Sequence, residues 1–573
     1  MNTLKLNICD YQCHTHQNLS PPPGGLSKWV RALPMGDAAT AAAHLFNLLH
    51  KYNQCELDPM VRSEALESLQ TAVTQSCSAL CAKYINSALP LSERNRQRFH
   101  LSCGLFDQMA IGYKTVVLDL YNDSSKNQKL HEVFLKAIHN AIKQLASLLL
   151  ECYIVYAKEP DDVWGELNQL YQLSESLGAS KLVLNKEDKK QTATQTIQYA
   201  YLRIALLSVA NPYHLMQGEA TVLYDYLRTW AMGCELQEVT DYNNLKNDLV
   251  VVEFKRALPP QFFYEGRTLD IEHTRTIDLS NLLSQFSDTL EKMSDYLASD
   301  AAHKTFSERM RRDMLLRIQR AWKERQTRKH RRERTNEYLV LAIGLNESHH
   351  FINNQLDYTP EKNEIRFYKT DGMNSDSNTD NTDLEYWQKL HNNVQHLVLQ
   401  DVSSVQHHKQ FRWMLYNQSE TGIGLRRDGI CDSCVHVGDI VSYKKSIDVA
   451  GWHVGVVRWI KEFDKHVLEL GINIIKGIAQ AVSVRSVDES NNLEYFRCLL
   501  LESHSRGQSY VNLIAPVSTF EVGSQVLINS QDQMQYVKLN ELVTTTTSYS
   551  QFEFEVIPTP EAEQIKINTI LDH

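Results

Sequence analysis

FRWMLYNQSETGIGLRRDG, residues Phe411–Gly429, decides how the second half of this chain folds. FRWMLY is an aromatic and aliphatic run of strand length, and NQSETG is rich in turn formers. GIGL then opens a second strand. Asn417 and Ser419 stand two apart, so on an extended chain their side chains share a face. Gly422 permits the turn back. The tip of this strand pair therefore presents an amide and a hydroxyl together.

The same signal continues downstream. DIVSYKK (Asp439–Lys445), WHVGVVRWI (Trp452–Ile460) and HVLELGINII (His466–Ile475) are strand-like runs separated by turn residues, as in a small barrel or sandwich. Beyond about residue 480, FRCLLLES, SYVNLIAP, SQVLINS and QFEFEVI predict a second β-rich unit.

Upstream, the period changes from 2 to 3.6. Asp58-Pro59 reads as a cap followed by a proline at the first helical position, and Leu66, Leu69, Val73, Leu80 and Tyr84 follow at helical spacing. Similar patterns span His131–Ala157, a helix that opens after Pro160 and ends at Gly178, and TIQYAYLRIALLSVA up to Asn211-Pro212. Strands are nearly absent before residue 245. Trp164, Leu167 and Tyr171 match part of a tetratricopeptide signature, with Asn168 in the glycine position; an ordinary amphipathic helix gives the same spacing. The expected organisation is an all-helical interaction domain over 1–245 and a mixed strand-helix connector over 246–327. A β-barrel region follows over 328–480, and a β-rich unit over 481–573. The fold class is α+β multidomain.

The connector ends in a basic helix. Residues 309–334 hold twelve Lys/Arg against three acids, and Arg328–Arg332 forms an RxxxR pattern just before EYLVLAIGL, which reads as a strand. Residues 350–408 read as an insertion, and GMNSDSNTDNTD (Gly372–Asp383) has the composition of a disordered segment. An arginine cluster near an amide-and-hydroxyl strand tip suits a ligand with paired phosphates and purine faces. Arginine forks bind phosphate oxygens in bidentate fashion, stack on bases, or donate to guanine O6 and N7. A mobile arginine loop would order on such an anion and close over it.

RxxxR, a strand, and then (D/N)xSxxG resemble the signature of PilZ domains, bacterial receptors for cyclic di-GMP. VHVGDIVSY and WHVGVVRWIKEFDKHVLELGINI resemble the strands that follow in that family. The resemblance covers about residues 328–478 without the insertion. It implies an all-helical array followed by a PilZ-like small β-barrel, with cyclic di-GMP as ligand and no cofactor. Arg328 and Arg332 would clamp phosphates and guanines. Asn417 and Ser419 would contact guanine, and Gly422 would shape the turn; Arg331 and Arg334 are helpers outside the motif. The two motifs stand farther apart than is usual, which requires the insertion to loop out. Asparagine replaces the commoner aspartate at 417, which gives up charge-assisted acceptance from guanine N–H groups.

Composition bounds the other readings. The chain has 573 residues, 43% hydrophobic and 22% charged, which predicts three or four domains with real cores. A net charge of −10 excludes a general polyanion binder, so nucleic acid is not the expected partner and any anion site is local. Eleven cysteines, an odd number thinly spread, predict reduced thiols. The apolar run Leu145–Ala157 is too short for a membrane span and carries Glu151, and the first residues lack a signal-peptide pattern. A cytoplasmic protein is expected. Cys9, Cys13, His14, His16 and the lone Cys431–Cys434 pair do not form a second cluster at finger spacing, so no metal site is expected. His349-His350 and His407-His408 read as solvated loop pairs. No nucleophile elbow, Walker loop, HExxH or dinucleotide fingerprint is found, and no catalytic residue is assigned.

Two rival readings remain. One is a non-enzymatic scaffold that does not bind nucleotide. The other is a partner or nucleic-acid binder acting through residues 309–334, where Ile318-Gln319, Lys323 and Arg328 have calmodulin-binding IQ spacing with Glu324 at the glycine position. The protein effector and the process it controls are not legible.

Overall fold

The computed structural model describes residues 4–12, 19–122, 127–184, 195–240, 249–264, 266–298, 306–323, 332–355, 360, 362, 364, 408–429, 434–445, 451–463, 467–487, 494–505, 508–530, 533–561 and 563–564. Two compact units result. One comprises Met1–Lys329 with Asp428–His436 and Trp459–Leu468; the other comprises His330–Arg427, Val437–Arg458 and Glu469–His573.

The first unit is helical: α1 (Leu26–Arg31), α2 (Ala38–Asn53), α3 (Pro59–Cys81), α4 (Glu93–Leu120), α5 (Gln128–Ile154), α6 (Val163–Ser176), α7 (Ile197–Val209) and α8 (Glu219–Trp230). Side chains of Asp37, Asp58, Ser92, Asn127 and Thr196 accept from first-turn N–H groups of α2, α3, α4, α5 and α7, satisfying donors that a helix start leaves open. Leu66, Leu69, Val73 and Leu80 are buried, as the periodicity of α3 requires, and Tyr84, past the end of that helix, is buried as well. Trp164, Leu167 and Tyr171 on α6 are core residues. α5 is long and apolar enough by composition to cross a membrane, and its apolar face is buried within this unit.

A sheet ordered β1-β4-β2-β3 follows, from β1 (Leu236–Glu238), β2 (Val250–Glu253), β3 (Gln261–Phe262) and β4 (Thr274–Ile277). β1 lies before residue 245 and pairs with β4; three residues are too few to show a period in sequence. Then come α9 (Ser280–Ala298) and α10 (Phe306–Lys323). The apolar stripe of α10 is occupied: Leu315, Ile318 and Trp322 are buried, Trp322 Nε1–H donates to Leu206 O, and its ring meets Phe286 at 5.1 Å. An IQ-like helix would need this stripe exposed.

A buried acid sits inside the helical unit. Burial pushes the Glu151 carboxyl up to about 7, even though a hydrogen bond from Tyr84 Oη favours its charged form. With the folded pKa above the unfolded value, its contribution is full below about pH 4.5 and is lost as pH rises through about 7. Urea denaturation of the helical unit is expected to show stability falling by on the order of 3 kcal/mol across that window. Glu151→Gln should flatten the profile.

The second unit carries two barrels. β5 (Glu333–Ile343), β6 (Phe411–Gln418), β7 (Gly422–Asp428), β8 (Ile440–Lys445), β9 (His453–Phe463) and β10 (Val467–Ile475) close in the order β10-β7-β6-β5-β8-β9, with α11 (Leu345–Ile352) after β5. β11 (Ile478–Ser486), β12 (Phe496–Ser505), β13 (Gln508–Pro516), β14 (Gln525–Asn529), β15 (Met534–Thr545) and β16 (Tyr549–Val556) close in the order β11-β12-β13-β16-β15-β14. Leu345, Ile440, Val454 and Val456 share one apolar cluster with Leu499, Leu501, Ile514 and Tyr549, which joins the barrels. This is the α+β multidomain class expected from sequence: a helical region and then two closed β-barrels.

Two expectations for the insertion change. His349 and His350 are on α11 rather than in a loop. His349 is buried, and burial pushes its pKa down to about 4. His408 bonds Glu347 at 3.0 Å and its ring stacks on His350 at 3.8 Å, so it is not a solvated residue either. The insertion is also anchored at its start. Asn529 Nδ2 donates to Pro360 O, and buried Glu364 bonds Arg485 in the second barrel. Polar side chains carry these anchors, so hydrophobic periodicity does not reveal them. Gly372–Asp383, His407, Cys13, His14, His16 and Cys431 lie outside the described residues.

Candidate functional site

The strand tip of the first barrel carries the Asn417–Gly422 motif, and Arg334 lies opposite it. β5 and β6 pair antiparallel, with Glu333 opposite Gln418 and Arg334 opposite Asn417. Asn417 is in turn opposite Gly424 on β7. Both ladders change register beside Asn417, between Arg334 and Glu337 and between Leu415 and Asn417. Such bulges re-aim side chains and recur near functional sites. Thr335 Oγ1 donates to Leu415 O at 2.8 Å and secures the bulged segment.

Asn417 Oδ1 is buried and has no hydrogen-bond partner among the described residues. Gly424 creates its niche: a Cβ there would lie 2.6 Å from Oδ1 and 2.9 Å from Nδ2. An unsatisfied buried acceptor costs about 1–3 kcal/mol, and a bound N–H donor would recover it. Ser419 closes the turn, with its N–H donating to Gly422 O at 2.8 Å and its hydroxyl to the same oxygen at 3.0 Å. The hydroxyl oxygen keeps lone pairs to accept from a ligand. Gly422 has no left-handed backbone; it is needed because a Cβ would press on Ile472 O of β10 at 3.0 Å. Close approach of a neighbouring strand, rather than turn conformation, selects glycine there.

Arg332 and Arg334 are exposed, and neither is ion-paired among the described residues. Burial and the Glu469 carboxylate push the Tyr416 hydroxyl above its ordinary pKa, and Arg332 is close enough to draw it partly back. Arg426 approaches Glu469 at 3.7 Å. Arg332, Arg334, Asn417, Ser419 and Gly422 thus come from one end of adjacent strands. Arg328 and Arg331 lie outside the described residues. Gly424, Tyr416 and Glu469 were not singled out in the sequence, although the GIG spacing around Gly424 was the available signal. The residues offer an amide acceptor, a hydroxyl oxygen and exposed guanidinium groups.

Among the described residues, Asp270, Glu272 and His273 form the one group close enough to hold a metal ion; the two acids are exposed, and it is remote in sequence from this tip.

Three family models match along the chain: the FimW N-terminal domain over residues 24–241, the FimW middle PilZ domain over 249–481, and the FimW C-terminal β-barrel domain over 482–557. A curated relative, the cyclic-di-GMP receptor FimW of Pseudomonas aeruginosa, is 26% identical over 96% of this chain and 94% of its own length. No solved structure matches. The order of the motifs, the closed barrel that carries them and the three consecutive domain matches agree, and the chain belongs to the FimW-type family of PilZ-domain cyclic di-GMP receptors.

Proposed function

We propose that this chain is itself a cyclic di-GMP receptor. The observation that carries the reading is Asn417 Oδ1, a buried acceptor without a hydrogen-bond partner among the described residues, set in the Gly424 niche on the strand end that also carries Arg332 and Arg334. Guanine presents N1–H and N2–H donors to such an acceptor, while its O6 and N7 suit an arginine fork. The two phosphates of the ligand suit the remaining guanidinium groups. Arg328 and Arg332 would act as clamps, Asn417 and Ser419 as base contacts, Gly422 as the turn residue, and Arg331 and Arg334 as helpers.

The role is binding without catalysis. Segment 328–480 would hold the dinucleotide and segment 1–245 would recognise a protein effector in the cytoplasm, with 246–327 connecting them and 481–573 supporting the barrel. Binding shifts the partner-facing state only if the ligand prefers one of two states. The basic-helix rival is weaker, because the apolar face of α10 is already buried.

Isothermal calorimetry of the full chain against cyclic di-GMP, with GMP and excess duplex DNA as controls, tests the reading. A saturable signal that GMP does not reproduce and DNA does not displace is expected. No saturable signal would leave a scaffold, and displacement by DNA would favour the nucleic-acid alternative.

A further inference from the structure

Segment 4–12, LKLNICDYQ, lies on the helical unit as a strap with no helix or turn of its own. Leu6 is buried, Leu4 and Ile8 are half-buried, and Lys5 and Asn7 between them are exposed. We infer that the groove under the strap is a recognition site for an extended segment of another protein, and that residues 4–12 are its resident occupant. The segment it fits has aliphatic residues at alternate positions followed by a basic one. The inference rests on the reading that residues 1–245 recognise a protein effector, and it gives that contact a place and a chemistry.

The helices grip the backbone of the strap rather than its side chains. Lys5 N–H donates to Gln169 Oε1 at 2.8 Å, and Gln169 Nε2 donates back to Lys5 O at 3.2 Å. This double exchange is what a neighbouring strand offers in an antiparallel ladder. Asn7 N–H donates to Glu166 Oε1 at 2.6 Å. Residues 5 and 7 stand two apart, so their backbone groups share one edge of an extended chain, while side chains 4, 6 and 8 share one face. Glu166 and Gln169 stand three apart on α6 and share one face of that helix. The Glu166 carboxylate is itself held, because buried Lys114 Nζ of α4 donates to its two oxygens at 2.7 and 2.9 Å. A buried ion pair adds little stability over apolar packing; here it aims an oxygen at the strap. Backbone bonds of this kind supply affinity without reading side chains, and pockets for alternate residues supply the selectivity. Leu6 is the one buried side chain among the nine, which leaves the strap among the more easily opened parts of the unit.

The resident sequence does not match the charge beneath it. Burial and then the Asp107 carboxylate push the Cys9 thiol above its ordinary pKa, and Lys114 draws it partly back. Burial also raises the Asp107 carboxyl, and the nearby Lys114 that opposes this is shared with Glu166. A neutral thiol does nothing for Asp107, and the residue that follows is another acid, Asp10. A lysine or arginine in the place of Cys9 would answer that carboxylate. Farther along, Gln12 N–H donates to Gln54 O at 2.8 Å, and the Arg62 guanidinium lies 5.9 Å from the Tyr11 ring.

Two full-chain variants release the strap for the test. Leu6→Asp removes its buried anchor, and Lys5→Pro removes the N–H that Gln169 accepts while changing an exposed side chain. Circular dichroism shows which variant keeps its helices, and either one suffices. The probe is a fluorescein-labelled peptide LKLNICDYQ followed by anisotropy. Saturable binding to the released chain is expected, and binding about tenfold weaker to the wild type, whose groove is open only part of the time. A Cys9→Lys peptide should bind at least about threefold tighter, a Leu6→Asp peptide should not bind, and Gln169→Ala in the released chain should weaken binding about tenfold. In the wild type, hydrogen exchange at the Lys5 and Asn7 amides should outpace that at Leu167 and Met109. No binding to a folded released chain, no effect of Gln169→Ala, or no gain from Cys9→Lys would overturn the inference. So would exchange at Lys5 and Asn7 as slow as in the helices. A released chain that dimerises by light scattering and then excludes the peptide would assign the groove to a second copy, and would also overturn it. No arm contains cyclic di-GMP. Failure of the groove therefore leaves the receptor reading standing, and peptide binding by a chain silent towards cyclic di-GMP would refute that reading and keep the groove.

Discussion

Arg332→Ala is expected to weaken cyclic di-GMP binding tenfold or more, about 1.4 kcal/mol, in calorimetry of the full chain. Arg332 is exposed, precedes the β5–β6 ladder that carries Asn417, and makes no ion pair among the described residues. Its removal therefore takes little from the fold, and the loss reports contact with the ligand. Arg332→Lys should recover only part of the affinity, because an ammonium lacks the planar fork that pairs with phosphate or a guanine edge. Wild-type affinity in the alanine variant would count against the site assignment while leaving the family membership untouched.

The other large effect is structural. Arg485→Leu is expected to destabilise the second barrel by about 3–5 kcal/mol, read as a shift of its urea transition. Arg485 Nη2 bonds Glu364 Oε1 and Glu563 Oε2, each at 2.5 Å, and Nε meets Glu364 Oε2 at 3.2 Å. All three side chains are nearly or largely buried. Tyr495 Oη–H donates to Glu364 and Tyr536 Oη–H to Glu563. Taking away the cation strands two carboxylates away from water. They would regain neutrality only by protonation, so the variant should recover stability as pH falls towards 4–5. Replacing all three residues by leucine should restore much of the loss, since a buried ion cluster and a packed apolar one are often equivalent in stability. An Arg485→Leu transition unchanged from wild type would show that the cluster carries no net weight.

Much of this architecture could be read from residue order. The Asp58-Pro59 cap and the periodic leucines of α3 act locally, so they survive any tertiary context. The motif NQSETG could be read because a strand tip with a tight turn restricts residue type at Asn417 and Ser419. What escaped was non-local. The Gly424 niche depends on a register shift in β6, and the need for glycine at 422 depends on Ile472 of β10, fifty residues later. The His350–His408 stack and the Glu364–Arg485 pair link residues separated by long stretches of chain, and neither leaves a periodic trace. Arg328 rests on the resemblance to the family, and Arg331 on its place in the basic run beside that motif.

The anchoring of the long segment between α11 and β6 has a practical consequence. Its two flanks are pinned independently, by Glu364 on Arg485 and by His408 on Glu347. The cost of closing a loop between fixed points grows only with the logarithm of its length. A fluorescent protein spliced between 365 and 407 should thus leave both barrels folded while attached to the strand pair that carries Arg334 and Asn417. The chain already contains the insertion point for an optical reporter of nucleotide occupancy.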